Sequence, residues 1–533
     1  MKKLLPVATF LFLLFTGCHQ PASKQMTAAK RDTSITATNA YSDLFLDSSA
    51  VDRFIATKGI NDSAANHLRI FYAGRNYQYA WFFGDGIADY AATFLDLQND
   101  YMAYSGDSSL YNFRLQLLYD SVAASKEHFN RTDSIIPEME LLFTEQFFRY
   151  ARRAYQGINQ LNVKELDWFI PRKKINPAAM LDSLIKYKGK DVTQYEPVNR
   201  QYNLLKNFLL KYYSIEKSGE WETIPHLKKA FRRGDSSAII VPIKKNLLLT
   251  GDLSQADSSA LFDNLLEQAV KNFQHRFGLT EDGVIGPSFL KELTVSPAAR
   301  IRQLLINMER IRWVPAEPGT AYLLVNIPEF RLHVYEKGRY LFGMNVVVGQ
   351  TAHQTVIFNG TLKYVVFSPY WNIPQSIIKN EILPALSRNK NYLETHNMER
   401  YGNGIRQKPG PDNALGLVKF LFPNNYNIYL HDTPAKSLFG ESKRAFSHGC
   451  IRLSEAKKLA EFLLRNDADW NAATITRAMK SGRERYVTLR NPVPVFIGYF
   501  TAWVDWEGQL NFRNDIYGHD KQLAGHLFNI ADQ

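Results

Sequence analysis

Cysteine is nearly absent from this sequence. Among 533 residues, only Cys18 and Cys450 are cysteines, so a scaffold held by several disulfides is excluded. The repeated spacings of common zinc sites, CxxC and HExxH, are absent as well. Long apolar segments are also scarce, since the run at residues 4–15 is too short to cross a bilayer comfortably. The sequence predicts a soluble body that carries one thiol, Cys450.

Neither sign of charge dominates strongly. Lys and Arg together number 64 against 52 Asp and Glu, and the sequence pI is about 9.3. This mild positive charge favours anionic polymers such as cell wall, a membrane surface or nucleic acid, without selecting one of them. Because 45% of the residues are hydrophobic, the chain can form more than one core. We expect a multidomain protein.

The N-terminus has the pattern of an export signal. Lys2 and Lys3 precede the apolar run at residues 4–15, as in the charged and apolar regions of a secretory signal. A signal peptide is therefore predicted over residues 1–18, and with it a periplasmic location.

The signal ends in a short motif around Cys18. The sequence Phe15-Thr16-Gly17-Cys18 resembles a bacterial lipobox, although the first residue is usually leucine. This resemblance implies cleavage before Cys18, lipidation of its thiol and attachment to a membrane. The outer membrane is favoured, because His19 is not the aspartate that often signals inner-membrane retention. The alternative is an ordinary cleaved signal.

The next two segments differ in composition. Residues 19–43 contain mostly Ser, Thr, Ala, Lys and Gln, which predicts a disordered tether. Residues 44–236 predict a helical scaffold domain, because apolar side chains recur every three or four residues, as over 64–72 and 139–155. Its aromatic residues at this spacing are typical of a core, and we assign this domain no chemistry.

A compact, motif-bearing region is predicted at residues 237–315. An amphipathic helix is expected over 265–277, and the sequence from Asp282 to Pro287 has the composition of a tight turn. The run AVKNFQHRFGLTEDGVIGPSFLKEL resembles the three-helix peptidoglycan-binding module. The resemblance implies affinity for glycan. The alternatives are a module that has lost this affinity and a plain helical spacer.

After residue 315 the apolar pattern becomes alternating, which indicates strands. Strands are predicted at 322–325, 331–335, 340–348 and 362–367, in a mostly β domain that covers 316–490. Within it, residues 377–411 are polar and glycine-rich and predict an inserted loop or lid. The tail, 491–533, predicts a hairpin that turns at Glu507-Gly508. The predicted fold class is α+β, multidomain.

The residues suited to chemistry lie between 426 and 464. A strand over 426–430 would bring His431 to its end, and Ser447-His448-Gly449-Cys450 would turn into a strand at 451–453 and a helix with Ser454 as its N-cap. A cysteine nucleophile needs an imidazole to accept its proton or to stabilise the thiolate. Gly449 permits close approach of the backbone, and amides near Cys450 are candidate oxyanion donors.

The spacing of His431 and the sequence HGCIRL at 448–453 resemble the signature of the L,D-transpeptidases. The sequences VVGQTAHQTVIFNG, SPYWNIPQSI, GPDNALGLVKFLFPN and YFTAWVD resemble large, multidomain members of that family, except that Val356 stands where proline is common. This resemblance implies a nucleophile at Cys450 and a general base at His431. It also implies turn support from Ser447, His448 and Gly449, an oxyanion contact from Tyr429 and substrate binding by Arg452.

The family's reaction would join two peptidoglycan stem peptides in a 3→3 cross-link with release of D-Ala, without metal or organic cofactor. Expected partners are peptidoglycan and, through the lipid, a membrane. Three alternatives stay open. The first is a zinc site with the ligands His431, His448, Asp432 and Cys450. In the second, water replaces the amine acceptor, as in a carboxypeptidase or amidase. The third is an inert wall-binding scaffold.

Overall fold

The computed structural model describes residues 30–528 except 125–131, 159–160, 163, 191–195, 197, 226–228, 256 and 317–318. The predicted signal peptide and the lipidation site Cys18 lie outside the described residues. Two compact units are present: one comprises residues up to Ala88 together with Arg114–Glu145, and the other comprises Asp89–Phe113 and everything from Gln146 onward. In the described part of the chain, no helix combines the length and apolar composition needed to cross a membrane.

The first unit is helical, as predicted. Its elements are α1 (Ala50–Lys58), α2 (Asp62–Ala73), a hairpin of β1 (Phe82–Phe83) and β2 (Gly86–Ile87), most of α4 (Phe113–Ala124) and the first half of α5 (Ile135–Gln156). A fully buried carboxylate, Glu140, accepts hydrogen bonds from the backbone amides of Ala80 at 2.6 Å and Trp81 at 2.9 Å and from the Tyr72 hydroxyl at 2.8 Å. Burial raises the pKa of Glu140 to about 7.

The described part of the predicted disordered tether, residues 30–43, makes hydrogen bonds to the helical unit. The backbone amide of Asp32 donates to the carbonyl of Ala73, and the Asn76 side chain donates to the carbonyl of Ile35 at 2.7 Å. The buried hydroxyl of Ser42 donates to the carbonyl of Phe82 at 2.7 Å. Polar side chains here pair with backbone groups of the helical unit, and this pairing offsets a low apolar content.

The second unit begins with helices. They are α3 (Asp89–Ser105), the rest of α5, α6 (Pro177–Lys186), α7 (Arg200–Ser218), α8 (Ile240–Thr250), α9 (Asn264–Arg276), α10 (Pro287–Leu293) and α11 (Pro297–Trp313). The predicted amphipathic helix is α9, capped by Asp263, whose side chain accepts from the amide of Leu266 at 2.8 Å. Gln274 on α9 bonds the backbone of Gly283 and Val284, so helix and turn are locked together.

The β domain contains a nine-stranded mixed sheet in the order β12-β5-β13-β11-β10-β6-β14-β3-β4. An additional pairing of β4 with β5 joins the two sides, so the sheet closes on itself around a core of Val, Leu, Ile and Phe side chains. Its strands are β3 (Ala321–Asn326), β4 (Arg331–Glu336), β5 (Arg339–Gly349), β6 (Phe358–Phe367), β10 (Val418–Leu421), β11 (Leu430–His431), β12 (Ala445–Ser447), β13 (Ile451–Leu453) and β14 (Arg485–Gly498). The four strands predicted after residue 315 are confirmed. Helices α15 (Ala456–Leu464) and α16 (Ala472–Met479) precede β14.

Three local predictions are wrong. Of the strand predicted over 426–430, only Leu430 lies in a strand, β11. Residues 425–426 form a turn instead, which is held by Asn424, whose side chain accepts from the amide of Tyr426 at 2.9 Å. Ser454 is not an N-cap, since α15 starts at Ala456 after Glu455. The domain end near Arg490 falls inside β14, which continues to Gly498 alongside β3.

The insertion at 377–411 is not a loop. It follows α12 (Gln375–Ile377) and begins with a π-helical turn over Ile378–Ile382. Helices α13 (Leu383–Arg388) and α14 (Tyr392–Thr395) come next. Strands β8 (Met398–Tyr401) and β9 (Gly404–Gln407) form a small sheet with β7 (Trp371–Asn372), which precedes the insertion. A cluster of buried isoleucines supports it, and its polar exposed face concealed this packing in the sequence. The predicted C-terminal hairpin is confirmed as β15 (Ala502–Val504) and β16 (Leu510–Phe512), followed by α17 (His519–Phe528).

Candidate active site

The candidate site is built on two neighbouring parallel strands. His431 of β11 lies opposite Arg452 of β13, and the amide of Ile451 donates to the carbonyl of Tyr429 at 3.1 Å. Extending this register by two residues places Tyr429 opposite Cys450. Because alternate residues of a strand share a face, Tyr429, His431, Cys450 and Arg452 all lie on one face, with His431 and Cys450 as diagonal neighbours.

His431 is buried and oriented by the backbone. Its Nδ1 lies 2.5 Å from the carbonyl oxygen of Asp432. A carbonyl only accepts, so Nδ1 carries the proton and the free electron pair is on Nε2. Burial lowers the pKa of His431 to about 4, and the positive charge of Arg452 contributes. At neutral pH the imidazole is therefore uncharged and able to accept a proton.

The thiol of Cys450 is partly buried and lightly bound. It lies 3.5 Å from the carbonyl oxygen of Asn427. Burial raises the pKa of Cys450, while hydrogen bonds from the backbone amide and hydroxyl of Tyr429 and the charge of Arg452 oppose that shift. The resting site thus favours a neutral thiol. Of the two roles considered for the imidazole, proton acceptance fits these pKa values better than stabilisation of a standing thiolate.

Tyr429 and Arg452 place donors beside the sulfur. The hydroxyl of Tyr429 hydrogen-bonds Cys450, and burial raises the pKa of that hydroxyl, so it stays a donor. Arg452 is half-buried, and its Nε has no hydrogen-bond partner among the described residues. The Nε of Arg452 is therefore an unsatisfied donor beside the nucleophile.

The turn before Cys450 is held from within. The hydroxyl of Ser447 donates to the carbonyl of Cys450 at 2.5 Å and accepts from the amide of Gly449 at 3.1 Å. Gly449 has φ of 110°, a conformation that side chains rarely adopt. The Gly449 amide is directed at Ser447 within the turn, whereas the Tyr429 amide and hydroxyl are directed at the sulfur of Cys450 and are the better candidates for oxyanion donors.

Two further residues support this turn and were not singled out from the sequence. Thr355 donates to the carbonyl of Gly449 at 2.8 Å and accepts from the amide of Gly349 at 2.9 Å. Tyr517, in the C-terminal tail, donates to the carbonyl of Gly349 at 2.5 Å. Thr355 lies within the quoted sequence VVGQTAHQTVIFNG, but nothing in the tail indicated a role for Tyr517.

His448 is placed away from the paired strands. Its side chain is 47% exposed, lies 3.6 Å from Glu381 of the insertion and packs on the ring of His353 at 5.1 Å. Asp432 pairs with Lys436 at 2.6 Å instead. Among the described residues, no group of three or more His, Cys, Asp or Glu side chains is arranged to hold a metal ion. The zinc alternative therefore has no geometric support there.

Three segments match family models. Residues 320–495 match the "L,D-transpeptidase catalytic domain", residues 66–209 the "Scaffold domain" and residues 241–293 the "Putative peptidoglycan binding domain". The resemblance to the L,D-transpeptidases is confirmed. All four residues of the shared face lie inside the matched L,D-transpeptidase segment.

A curated relative is also named as an L,D-transpeptidase. The "Putative L,D-transpeptidase" of Haemophilus influenzae is 30% identical over 292 residues, which cover 51% of this chain and 58% of the relative. The match thus spans less than two thirds of that protein.

Solved L,D-transpeptidase structures show weaker likeness. The enzyme from Stackebrandtia nassauensis has 15% identity and a TM-score of 0.21, with 52% of this chain and 97% of that chain covered. The L,D-transpeptidase from Mycobacterium smegmatis has 16% identity and a TM-score of 0.20, with 34% and 58% covered.

Proposed function

We propose that this protein is an L,D-transpeptidase that forms 3→3 cross-links in peptidoglycan, with Cys450 as nucleophile and His431 as general base. The shared face of β11 and β13 carries the proposal. It combines a thiol, an uncharged imidazole of fixed tautomer, the Tyr429 donors that bond the thiol, and the unpartnered Nε of Arg452. These are the groups that acyl transfer through a thioester requires.

The proposed reaction has two halves. His431 takes the proton from Cys450, and the sulfur attacks the carbonyl carbon of the third residue of a tetrapeptide stem. The bond to the terminal D-Ala then breaks, and the imidazolium returns its proton to the departing amine. An amine of a second stem next attacks the thioester and loses a proton to His431, which passes it to the leaving sulfur. One D-Ala is released for each cross-link.

Donors would stabilise the oxyanion in both halves. The amide and hydroxyl of Tyr429 hydrogen-bond the thiol and would therefore lie close to the carbonyl that the sulfur attacks. The Nε of Arg452 would bind a substrate oxygen or carboxylate. Ser447, Gly449 and the exposed His448 then serve the turn. The hydrogen bonds of Ser447 and Gly449 are made within the turn, whereas those of Tyr429 are made to the reacting sulfur.

Water in place of the second amine would make the protein a carboxypeptidase or an amidase. The decisive experiment incubates the protein with disaccharide-tetrapeptides and measures product masses. A dimer that lacks one D-Ala supports transpeptidation, whereas a monomer that lacks D-Ala supports hydrolysis. Absence of both products would favour the inert wall-binding scaffold.

We further propose that a lipid on Cys18 anchors the protein in the outer membrane and that the protein faces the periplasm. The lipobox-like sequence before Cys18 supports this. Replacement of Cys18 by serine should move the protein from the membrane to the soluble fraction, with activity retained. A variant that stays in the membrane fraction would refute the anchor.

A further inference from the structure

The C-terminal segment 499–520 lies after residues 320–495, the range that matches the L,D-transpeptidase catalytic domain, yet it reaches the turn before the candidate nucleophile. The hydroxyl of Tyr517 donates to the carbonyl of Gly349 at 2.5 Å and accepts from the amide of Thr355 at 3.4 Å. Burial raises the pKa of Tyr517 to about 12, so the hydroxyl keeps its proton and remains a donor at neutral pH. One phenol group therefore joins two backbone sites.

These two sites are the points at which the turn is attached to β5. The amide of Gly349 donates to the hydroxyl of Thr355 at 2.9 Å, and that hydroxyl donates to the carbonyl of Gly449 at 2.8 Å. Gly349 also lies opposite Ser447 of β12, whose hydroxyl donates to the carbonyl of Cys450. A shift of Gly349 or Thr355 would therefore reach Cys450 through its neighbours in the turn.

The loop from Gly349 to Thr355 is closely packed. A β-carbon placed on Gly349 would overlap the carbonyl oxygen of His353 and lie 2.8 Å from the amide nitrogen of Thr355. Close-packed atoms transmit a displacement to their neighbours instead of absorbing it. Loss of a hydrogen bond at Gly349 should therefore change the position of the whole turn.

Tyr517 is itself held by buried polar groups. Its amide donates to the hydroxyl of Tyr499 at 2.9 Å, and that hydroxyl donates to the carboxylate of Asp515 at 2.7 Å. The other oxygen of Asp515 accepts from the amides of Asp520 at 2.9 Å and Lys521 at 3.1 Å, in the first turn of α17. A carboxylate at a helix N-terminus interacts favourably with the free amides and the helix dipole. The start of α17 thus fixes the backbone of Tyr517.

Helix α11, which precedes the matched range, anchors α17 in turn. The buried carboxylate of Asp520 accepts from Arg310 and from the hydroxyl of Thr501. Asn307 donates to the Thr501 hydroxyl at 2.8 Å and accepts from the Thr501 amide at 2.9 Å. Buried polar groups whose hydrogen bonds are satisfied hold a single arrangement. A fixed frame therefore extends from α11 through α17 to Tyr517.

We propose that Tyr517 is a positioning residue for catalysis, which holds the turn of Cys450 in the place from which its proton can pass to His431. The segment 499–520 and α11 then belong to the catalytic apparatus, although both lie outside the range that matches the catalytic domain. The proposal rests on the proposed function for the role of Cys450 as the nucleophile. A purely structural role predicts lower stability with unchanged turnover, whereas a positioning role predicts slower turnover by molecules that stay folded.

The first test is Tyr517→Phe, which removes the hydroxyl and keeps the ring. With disaccharide-tetrapeptides as substrate, kcat of the full-length protein should fall about 3- to 10-fold, with KM nearly unchanged. The matched control is Tyr104→Phe, which removes a buried hydroxyl that is paired with Tyr202 at 2.8 Å rather than with the turn. An unchanged kcat in Tyr517→Phe, or an equal loss in Tyr104→Phe, would overturn the proposal.

The second test combines Tyr517→Phe with Thr355→Val. Because both hydroxyls act on the same turn, their effects should not be independent, and Tyr517→Phe should lower kcat by less than about twofold once the Thr355 hydroxyl is gone. Two losses that simply multiply would mean that Tyr517 does not act through the turn. If Tyr517→Phe does not fold, Tyr499→Phe loosens the backbone of Tyr517 instead and should show the same fall in kcat at nearly unchanged KM.

Alkylation of the Cys450 thiol by a small electrophile separates this inference from the proposed function, since it requires no cross-linking. At neutral pH, alkylation of Tyr517→Phe should be slower than that of the unmodified protein, because proton transfer to His431 is less well aligned. Well above the thiol pKa the thiolate forms without the base, so the two rates should converge.

The outcomes of the alkylation experiment are distinct. Equal rates at every pH would overturn the inference, and so would a rate that stays slower at high pH, since that result indicates altered access to the thiol. A difference confined to neutral pH, in a protein that forms no cross-links, would support the positioning role of Tyr517 and refute the proposed function.

Discussion

The buried carboxylate of the helical unit and the thiol of the β domain are both polar groups withdrawn from water, but their partners differ. Glu140 is fully buried, and both of its oxygens accept hydrogen bonds, from Ala80, Trp81 and Tyr72. The Cys450 thiol lies 3.5 Å from the carbonyl oxygen of Asn427 and is hydrogen-bonded by Tyr429, but the neighbouring Arg452 has an Nε without a described partner. A satisfied network stabilises structure, while an unsatisfied one is open to a substrate.

This difference separates residues that are needed for stability from residues that are needed for catalysis, which sequence alone does not distinguish. Replacement in the satisfied network should cost stability and leave the chemistry intact. Replacement in the unsatisfied network should cost chemistry and leave stability intact.

The largest expected effect is that of Cys450→Ala, which should abolish cross-linking completely. The variant loses one sulfur atom and no disulfide, so its free energy of unfolding should change by no more than about 1 kcal/mol. Product masses measure the loss of cross-linking, and denaturant unfolding measures the change in the free energy of unfolding. Dimers formed at a normal rate by the purified variant would mean that the nucleophile lies elsewhere.

The next largest effect is expected for His431→Ala, with acylation slowed about 10²–10⁴-fold, as for loss of a general base. The pH dependence sharpens this prediction. Because burial lowers the pKa of His431 to about 4, the imidazole stays uncharged and active until the pH falls towards that value. An acid limb of kcat/KM near the ordinary histidine pKa would contradict the assignment.

Glu140→Ala should act in the opposite way. Removal of the carboxylate leaves the amides of Ala80 and Trp81 without this acceptor, at about 1–3 kcal/mol for each buried group. We expect the free energy of unfolding to fall by about 3 kcal/mol, with cross-linking per folded molecule unchanged. A parallel loss of kcat would erase the contrast between the two regions.

The titration of Glu140 gives a second measurement. Its pKa is raised by burial to about 7 in the folded state, above the ordinary 4.5. The folded state therefore holds its proton more tightly than the unfolded state, so this contribution to stability is full below pH 4.5 and is lost as the pH rises through 7. Glu140→Gln cannot titrate and should remove that part of the pH dependence of unfolding.

Sequence reasoning predicted well wherever a pattern was local. Alternation identified the strands from Ala321 to Phe367, and the glycine turn identified the C-terminal hairpin. It failed where a polar surface hides a small core, as in the insertion with its isoleucine cluster. The site followed the same rule, since His431 and Cys450 belong to a short motif, whereas Tyr517 reaches Gly349 across 168 positions of sequence.

Those distant contacts can be tested through Thr355→Val, which keeps the side-chain volume and removes the bonds to Gly349 and Gly449. The turn that carries Cys450 should then be less well positioned, and we expect kcat to fall about 10-fold with KM nearly unchanged. Thr355→Ser keeps the hydroxyl and should restore most of the rate. Equal losses in both variants would indicate a packing role.

The smallest effect is expected for His448→Ala, although His448 is only two residues from the nucleophile. Its ring is half exposed and faces Glu381 and His353 rather than the strand pair that carries His431. Since the turn is held by Ser447 and Thr355, loss of His448 should lower turnover by less than about 10-fold.

The pH dependence of thiol alkylation by a small electrophile compares the two histidines directly. If His431 is the base, its removal should slow proton transfer from Cys450 and change that profile, and His448→Ala should follow the unmodified protein. A profile changed only in His448→Ala would make His448 the proton acceptor and leave His431 as a structural residue.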